Sequence, residues 1–377
     1  MIEYMEGNDA IVRGAIDAGC RFFAGYPITP ASSILHGMIR ELPRYHGIAI
    51  QAEDEIASIG FCIGASMAGL KTMTATSGPG ISLMSENIGL AIMGETPLVI
   101  VDVQRQGPAT GSATMGASGD IQFIRWGTSG GMPIVALCPT TVEECYTLTI
   151  HAFNLSEEFR IPVFLVTNKE LGLLREKVEL NQSKKPEIKM RKKIPGSEHS
   201  FIPFHFNRPE EIPLMSDIGG DIIVRHTTSM HNKEGSITKD PGEIAEMMNH
   251  FYQKIEGNKS QFEFVQSDIE DERACSLIIS YGITARSARE AVSMLRNRGE
   301  KISHLIIHSL WPVPEDAIRN AVEGCTRVIV PEMNLGQYVL EIERICKALD
   351  NGIEIISINK MDTTLISPEE IIIGGGL

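Results

Sequence analysis

The sequence predicts an α/β protein with doubly wound parallel sheets, and two observations support this expectation. Short apolar runs rich in β-branched residues, such as those at 97–103 and 161–166, are typical of buried parallel strands. Segments with helical periodicity separate these runs, so that strand and helix alternate along the chain. Such alternation is typical of a parallel sheet with helices on both faces.

The elements of the N-terminal part follow in order. We expect helices at about 8–19 and 31–43, and strands at 21–25, 48–50, 71–76, 97–103, 133–137 and 161–166. The strand at 48–50 precedes a helix on which Ile56, Ile59, Gly60 and Ile63 share one face. Several glycines and alanines leave that helix with little bulk, so another backbone could approach it closely.

A smaller α/β unit is expected after the acidic stretch at 268–272. Its predicted elements are strands at 274–282, 304–308, 327–331 and 353–358 and a helix at 284–298. The chain is therefore divided into a first α/β domain at 1–180, a linker and irregular insertion at 181–262, and a smaller α/β domain at 263–377.

The segment at 180–206 is rich in Lys, Arg, Pro and Ser. Its basic island, Lys184–Lys185 and Arg191–Lys193, predicts a solvated linker, and a docking site for an acidic neighbouring subunit is the alternative. Residues 207–262 suggest an irregular insertion that ends in a helix at about 241–255. His226 and His231 lie in this insertion and are interpreted as solvated loop histidines.

Charge and cysteine content exclude several classes of function. Lys plus Arg total 34 and Asp plus Glu total 48, and the resulting net charge of −14 disfavours nucleic acid and anionic membranes as partners. No apolar run is long enough to span a bilayer. The seven cysteines are scattered without C-x₂-C spacing, so we expect buried, reduced thiols in a cytoplasmic protein, with Cys138 and Cys145 in the core and no iron–sulfur or zinc site on this chain.

The loop at 25–30, Gly-Tyr-Pro-Ile-Thr-Pro, follows a predicted strand. Each proline fixes its own φ and favours extended geometry in the residue before it, so Thr29 is presented by a stiffened loop. In a doubly wound sheet such strand ends face the ligand crevice. A plain Pro-punctuated turn is the alternative interpretation of this loop.

Three further positions at predicted strand ends could contribute to a site. Glu53 is the first of three acids at a strand-to-helix junction, whereas Asp54 and Glu55 are interpreted as favourable charges at the helix start. Arg105 directly follows the strand at 97–103, where an exposed ion pair is the alternative role. The Ser77–Gly78 turn before a helix could bind an anion through backbone N–H groups, or could be a simple βα turn.

These motifs together resemble the alpha subunit of the 2-oxoacid:ferredoxin oxidoreductases, most closely the 2-oxoglutarate and branched-chain 2-oxoacid enzymes. The resemblance rests on seven blocks in order along nearly the whole chain: 25–30, 51–55, 75–80, 86–91, 95–97, 103–111 with 119–122, and 331–337. It implies a pyrimidine-type thiamine diphosphate domain followed by a transketolase C-terminal-like domain. In the latter, no catalytic residue stands out from the sequence.

The resemblance implies that this subunit takes part in the oxidative decarboxylation of a 2-oxoacid, with 2-oxoglutarate favoured, to acyl-CoA and CO2 with reduction of ferredoxin, as in anaerobic metabolism. The sequence lacks the Gly-Asp-Gly element that holds Mg²⁺ and the diphosphate in thiamine enzymes. Thiamine diphosphate and Mg²⁺ are therefore expected to be held mainly by a beta subunit. Partner subunits (beta, with gamma and ferredoxin-like delta as further candidates) would carry the [4Fe-4S] clusters, and coenzyme A would be a co-substrate.

By the same resemblance, Glu53 is the catalytic carboxylate that hydrogen-bonds the cofactor's pyrimidine ring, and Thr29 and Arg105 bind the substrate. The remaining cofactor-binding positions are Tyr26, Pro27, Ile28, Ser77 and Gly78. Three alternatives stay open at this point: a branched-chain (2-oxoisovalerate) enzyme, a thiamine-fold subunit that only assists assembly, and a split transketolase-like subunit that needs no ferredoxin.

Overall fold

A computed structural model of the chain describes residues 2–180, 185–195, 201–270, 274–349 and 352–377. Its helices are α1 (Gly7–Asp17), α2 (Ser32–Glu41), α3 (Glu55–Met67), α4 (Gly78–Met93), α5 (Ile121–Trp126), α6 (Val142–Phe159), α7 (Lys169–Leu173), α8 (Pro241–Glu256), α9 (Thr284–Asn297), α10 (Glu315–Ala321), α11 (Val339–Lys347) and α12 (Pro368–Gly374). Its strands are β1 (Ile2–Glu6), β2 (Phe22–Gly25), β3 (Ile48–Gln51), β4 (Thr72–Thr76), β5 (Leu98–Gln104), β6 (Val135–Leu137), β7 (Pro162–Asn168), β8 (Arg175–Glu179), β9 (Val265–Asp268), β10 (Ser276–Tyr281), β11 (Ile302–Ile307), β12 (Ser309–Trp311), β13 (Arg327–Glu332) and β14 (Glu354–Asn359).

The main sheet has seven strands in the order β12-β6-β7-β5-β4-β2-β3, and all neighbouring pairs are parallel except β12 with β6. Side chains of α1, α2 and α6 form the core on one face, and side chains of α3, α4 and α5 form it on the other. The predicted doubly wound α/β fold is therefore confirmed.

A second sheet of five strands has the order β14-β13-β10-β11-β9, with only β9 antiparallel to its neighbour. The two sheets are linked, because β12 comes from the C-terminal region and pairs with β6 of the main sheet through Ser309 and Trp311. The proposed division at 180 and 262 remains a prediction.

The main sheet has a topological switch point between β2 and β4. From β2 the chain moves to the edge strand β3, and then crosses back over β2 to form β4, from which the sheet continues to β5. Ligands of open α/β sheets bind outside the carboxyl ends of the strands at such a point. The loops that follow β2, β3, β4 and β5 are those in which the sequence placed its candidate site residues.

Most predicted elements agree with the structure to within a few residues at each end. Four strands were not predicted: β1 and β8, which pair with each other in a separate antiparallel ribbon, and the edge strands β9 and β12. These strands have three to five residues. Each depends on a partner distant in sequence, so its own residues give little signal.

Only half of the predicted apolar face of α3 is buried. Ile59 and Ile63 are buried, but Ile56 is 49% exposed and Gly60 is exposed as well. The buried face instead continues through Ser58 and Cys62, because close approach to β2 and β4 favours small side chains there. An apolar strip of α3 consequently faces outward.

In its described residues, the basic segment is not fully solvated, contrary to the predicted linker, and Lys184 of the basic island lies outside those residues. The Arg191 side chain is buried and pairs with the equally buried Glu157 of α6, with Nε and Oε2 2.7 Å apart. It also donates hydrogen bonds from Nη1 to Ser66 O (2.7 Å) and from Nη2 to Leu70 O (2.9 Å). A buried carboxylate needs a counter-charge, and Arg191 provides it. Lys193 is exposed.

The histidine and cysteine predictions hold only in part. His231 is fully buried, with its ring nitrogens 2.8 Å from Asn232 O and 3.1 Å from Met93 O, so the solvated-loop interpretation is wrong for it. Cys138 and Cys145 are in the core, as predicted, and burial raises the pKa of both thiols. Cys275, in contrast, is exposed.

Candidate active site

The loop after β2 brings Thr29 to the switch point. Its last residue, Pro30, is buried, and the Pro30 carbonyl accepts a hydrogen bond of 3.0 Å from Asn8 Nδ2 at the start of α1. Tyr26 and Thr29 are exposed. The loop is thus anchored from beneath while two of its side chains face outward, as the proline spacing predicts.

Arg105 lies one residue beyond β5 and crosses to this loop. Its Nη1 donates a hydrogen bond of 2.7 Å to the carbonyl oxygen of Thr29. The residue is 7% exposed, and its Nε has no hydrogen-bond partner among the described residues. A buried guanidinium with a free N–H is suited to bind an anion.

The three acids between β3 and α3 have different environments. Glu53 is exposed, and its carboxylate makes no hydrogen bond or ion pair within the described chain. Asp54 is the N-cap of α3 and accepts a hydrogen bond of 2.7 Å from Ala57 N, as expected for a helix start. Glu55 is buried instead, and desolvation raises its pKa despite the opposing charge of Arg105.

The turn after β4 packs closely around its neighbours. A Cβ on Gly80 would lie 1.9 Å from Thr76 Oγ1 and 2.8 Å from Glu55 Oε1, so only glycine fits there. Ser77 is fully buried, and its Oγ has no partner among the described residues. A Cβ on Gly78 would lie 2.8 Å from both carboxyl oxygens of Asp120, which places that carboxyl group over the first turn of α4.

A cavity of about 340 Å³ opens beside this turn, between the main sheet and the C-terminal region. Its charged lining residues are Arg105 and Asp120, and its opposite wall includes Asn334, Gln337 and Met361. A larger cavity of about 600 Å³ lies elsewhere, between α7 and α9, and contains none of the predicted site residues. Of the predicted site residues, the cavity of about 340 Å³ contains Arg105 and Gly78, and it is also lined by residues of the C-terminal region, which the sequence did not predict.

The segment 333–337 holds the loop that carries Asp120. Asn334 Nδ2 donates to Ser118 O (2.7 Å), and Gln337 Nε2 donates to Gly119 O (2.6 Å). Gln122 N in turn donates to Gln337 Oε1 (3.0 Å). The only available sequence signal was the motif at 331–337, whose long-range contacts no local pattern could reveal.

Two acidic residues beside Arg105 were also missed. Asp102 is fully buried in β5, and Asp120 carries the neighbouring carboxyl group. Desolvation raises the pKa of Asp102 well above its usual value, and the nearby Asp120 adds to the shift. Burial also raises the pKa of Asp120 to about 6, although Asp102 and Arg105 act in the opposite direction. The signal was an aspartate within an otherwise apolar strand.

Within the described ranges, no group of three or more His, Cys, Asp or Glu side chains could hold a metal ion. No helix in this part of the chain is long and apolar enough to cross a membrane.

Comparison with protein families places both parts of the chain. Residues 13–250 match the family described as pyruvate flavodoxin/ferredoxin oxidoreductase, thiamine diphosphate-binding. Residues 274–371 match pyruvate:ferredoxin oxidoreductase core domain II. The two matches together span the switch-point loops and the wall formed by the C-terminal region.

Several characterised proteins are similar over nearly the whole chain. The 2-oxoglutarate synthase subunit KorA of Methanocaldococcus jannaschii is 43% identical over 376 residues, covering 98% of each chain. The subunit of the same name from Archaeoglobus fulgidus is 38% identical and covers 98% of this chain and 97% of its own. The ketoisovalerate oxidoreductase subunit VorB of Methanothermobacter thermautotrophicus is 33% identical, covering 98% and 96%.

One solved structure has the same fold. It is the 2-oxoglutarate:ferredoxin oxidoreductase from Magnetococcus marinus with 2-oxoglutarate, coenzyme A and succinyl-CoA bound, with a TM-score of 0.91 and 31% sequence identity. The match covers 98% of the present chain but 64% of that chain, so the solved chain contains a further third without a counterpart here.

Proposed function

Because the chain belongs to the 2-oxoacid:ferredoxin oxidoreductase family, we propose that it is the alpha subunit of an enzyme that oxidatively decarboxylates 2-oxoglutarate. The products would be succinyl-CoA, CO2 and reduced ferredoxin. The observation that best supports this proposal is the hydrogen bond from Arg105 to the Thr29 carbonyl at the switch point of the main sheet, with Glu53 following the neighbouring strand β3. The non-catalytic assembly subunit would have no need of that arrangement.

Thiamine diphosphate fits the groups that this chain offers. The Glu53 carboxylate is exposed and unpartnered within the described chain, so it can accept a hydrogen bond from the aminopyrimidine ring. Tyr26, which is exposed, and Pro27 and Ile28, which are half-buried, follow β2 and would provide apolar contacts to the ring. Ser77 and Gly78, at the turn after β4, are the remaining proposed contacts. When bound, the cofactor supplies the carbanion chemistry of decarboxylation.

The protein residues position the reactants and hold protons. Glu53 keeps the pyrimidine in the protonation state that the chemistry requires, which is general acid–base work by a fixed carboxylate. Arg105 would bind the carboxylate of the 2-oxoacid through its guanidinium, and the exposed Thr29 would offer a further hydrogen bond to the same head group. The buried position of Arg105 strengthens its attraction for the anion, because solvent screening is reduced there.

The chain supplies half of the site, and a beta subunit would complete it. The outward strip of α3 consists of Ile56, Gly60, Phe61 and Gly64, and a Cβ on either glycine would meet no atom within 4 Å. An apolar strip with such open space fits a closely packed partner. The beta subunit would hold Mg²⁺, the diphosphate and a [4Fe-4S] cluster, gamma and delta subunits remain candidates, and the cytoplasm is the proposed location.

The choice between two substrate classes rests on the relatives. The four relatives named 2-oxoglutarate synthase subunits are 38% to 43% identical to this chain, and the ketoisovalerate relatives are 32% to 33% identical. These values favour 2-oxoglutarate, with 2-oxoisovalerate as the second candidate.

The test is steady-state kinetics of the assembled complex with 2-oxoglutarate, 2-oxoisovalerate and pyruvate, with ferredoxin reduction followed in the presence of coenzyme A. We expect the highest kcat/KM for 2-oxoglutarate. A higher value for 2-oxoisovalerate would shift the assignment to the branched-chain class, and no turnover with any 2-oxoacid would support the assembly subunit.

A further inference from the structure

Asp102 and Asp120 form a pair of carboxyl groups behind Arg105. Asp102 lies in the middle of the main sheet, in register with Thr76 of β4 and Val166 of β7. It is fully buried, and neither of its oxygens is bonded to a donor among the described residues. Asp120 approaches the same face of β5, because its backbone N–H donates to Gln104 Oε1 (2.9 Å), two residues beyond Asp102, and the two carboxyl groups interact. Two carboxylates in such contact cannot both be ionised without a large cost, so the pair must hold a proton.

The surroundings decide which oxygen keeps that proton. Asp120 lines the cavity with Arg105, and its carboxyl group lies over the first turn of the 16-residue helix α4. A positive guanidinium and a helix N-terminus both favour the ionised form of Asp120. Asp102 has no comparable neighbour, so it remains the neutral acid and donates to Asp120.

We propose that Asp102 is a positioning residue that keeps its proton at neutral pH and, by donating it to Asp120, fixes the ionised Asp120 carboxylate beside Arg105. Gln104 lies on the same face of β5 as Asp102 and also fixes Asp120, because Gln104 Oε1 accepts a hydrogen bond of 2.9 Å from Asp120 N. Asp120 is thus bound at its backbone and its side chain by two residues of β5 that lie two positions apart. The inference rests on the proposed role of Arg105 in binding the 2-oxoacid.

The other groups around the pair do not replace this contact. Arg105 is the charged neighbour from the end of β5, and the first turn of α4 contains no acidic or basic residue. Glu55 of α3 faces Gly80, two residues beyond Gly78 in the same turn of α4. From the C-terminal region, Asn334 and Gln337 are uncharged. Asp120 therefore depends on Asp102 for a hydrogen bond to its side chain.

Two substitutions separate this role from simple space filling. Asp102→Asn keeps an N–H donor on a neutral side chain of the same shape, whereas Asp102→Leu removes the donor. At pH 7 we expect the Asn variant to stay within about threefold of wild type in kcat/KM for the 2-oxoacid and the Leu variant to lose roughly 10-fold, the size of one hydrogen bond to a charged group. The measurement uses the assembled complex.

The pH profile gives a readout that a purely structural role would not change. The proposal places the ionised Asp120 carboxylate beside Arg105, so activity should fall as the pH drops through the Asp120 pKa of about 6. The hydrogen bond from Asp102 lowers that pKa, so its removal in Asp102→Leu should raise it and move the acid limb to higher pH. In Asp102→Asn, the acid limb of the pH profile of activity should stay at the wild-type pH.

Infrared difference spectra test the shared proton without any activity. At pH 7, wild type minus Asp102→Asn should contain the carbonyl band of a neutral carboxylic acid. The control is Asp240→Asn at the exposed N-cap of α8, where the lost group should have the bands of an ionised carboxylate. Ionised-carboxylate bands for Asp102 would overturn the proposal, as would equal losses and equal limb shifts in the Asn and Leu variants. If the complex proved inactive toward 2-oxoacids, the proposed function would fail while the infrared result still decided the proton.

Discussion

Arg105 donates a hydrogen bond to the backbone carbonyl of Thr29 across the mouth of the crevice, with Nη1 and O 2.7 Å apart. This contact joins the loop after β5 to the loop after β2, two strands of the main sheet that are separated by β4. Because the bond uses the carbonyl of Thr29, the threonine hydroxyl remains available. The Arg105 Nε is buried and has no hydrogen-bond partner among the described residues, so one further N–H of the guanidinium is unsatisfied there.

Replacement of Arg105 by lysine should separate charge from geometry. Lys keeps the positive charge but lacks the planar fork that can contact Thr29 and a carboxylate together. We expect kcat/KM to fall roughly 10–100-fold for every 2-oxoacid alike, with unchanged thiamine content of the complex. Arg44→Lys, at an exposed position of the chain, is the control. A loss confined to the coenzyme A dependence would assign Arg105 to acyl transfer instead.

Glu53 and Glu55 lie two residues apart, and their substitution should have unequal effects. Glu53→Gln removes an exposed, unpartnered carboxylate, so 2-oxoacid-dependent ferredoxin reduction should fall roughly 10²–10⁴-fold, the usual range for lost acid–base catalysis. Glu55→Gln changes a buried group whose pKa desolvation already raises, so we expect less than about a 10-fold loss. Both complexes should assemble, as judged by gel filtration. The reverse order of effects would move the catalytic assignment to Glu55.

The residues of the candidate site differ in how far the sequence could predict them. Thr29 and Glu53 follow short strands and are marked by local chemistry, namely two prolines and a strand-to-helix junction, so their placement could be predicted. Asp120 and Gln337 depend on contacts between segments about 215 residues apart, such as Gln122 with Gln337. Arg191, in turn, looked solvated because its sequence neighbours are Lys192 and Lys193, although its partner Glu157 lies in another element.

The exposed strip of α3 should be required for assembly. Phe61 is 45% exposed within this chain and would be buried against the proposed beta subunit. Phe61→Glu would place a charge in that contact, and burial of an unpaired charge is strongly unfavourable. Co-purification of the partner should therefore be lost while the isolated chain keeps its thermal stability. Tyr252→Glu, at a similarly exposed aromatic on α8, is the matched control. Full assembly of the Phe61 variant would place the interface elsewhere.

A buried ion cluster should make the fold sensitive to acid. Glu95 Oε2 lies 2.6 Å from Lys254 Nζ and its Oε1 3.2 Å from His250 Nε2, with all three side chains buried. Desolvation alone would raise the pKa of Glu95, but Lys254, His250 and Arg160 outweigh it and lower the pKa far below its usual value. Burial lowers the pKa of Lys254 although Glu95 opposes it. Glu95 remains ionised, because the positive charges of Lys254 and Arg160 both act on it.

A depressed carboxylate pKa contributes stability above the unfolded value of about 4.3 and loses it as the pH falls toward the folded value. Lys254→Met leaves Glu95 with fewer counter-charges, so the free energy of unfolding at pH 7 should drop by about 3 kcal/mol. The difference from wild type should shrink as the pH falls below about 4, where the unfolded chain takes up a proton at Glu95 that the folded wild type does not. Urea unfolding at both pH values measures it. Lys259→Met, whose ion pairs are partly exposed, should cost less than about 1 kcal/mol, and an equal cost at both sites would contradict the cluster's role.

Gln337 should couple the C-terminal region to the site rather than merely stabilise the fold. Its side chain bridges Gly119 O and Gln122 N, the residues on either side of Asp120 and Ile121, so its loss frees the loop that carries Asp120 into the cavity. Gln337→Ala should therefore raise the KM for the 2-oxoacid and lower kcat/KM roughly 10-fold. Displacement of the loop that carries Asp120 would cost the binding energy of about one or two hydrogen bonds. The exposed Gln261 provides the control substitution, Gln261→Ala. Both side-chain hydrogen bonds of Gln337 are to uncharged backbone groups. The free energy of unfolding of Gln337→Ala should therefore fall by no more than about 1–3 kcal/mol. A variant that is destabilised to this extent but keeps its KM would show that the C-terminal region supports the cavity wall without controlling substrate binding.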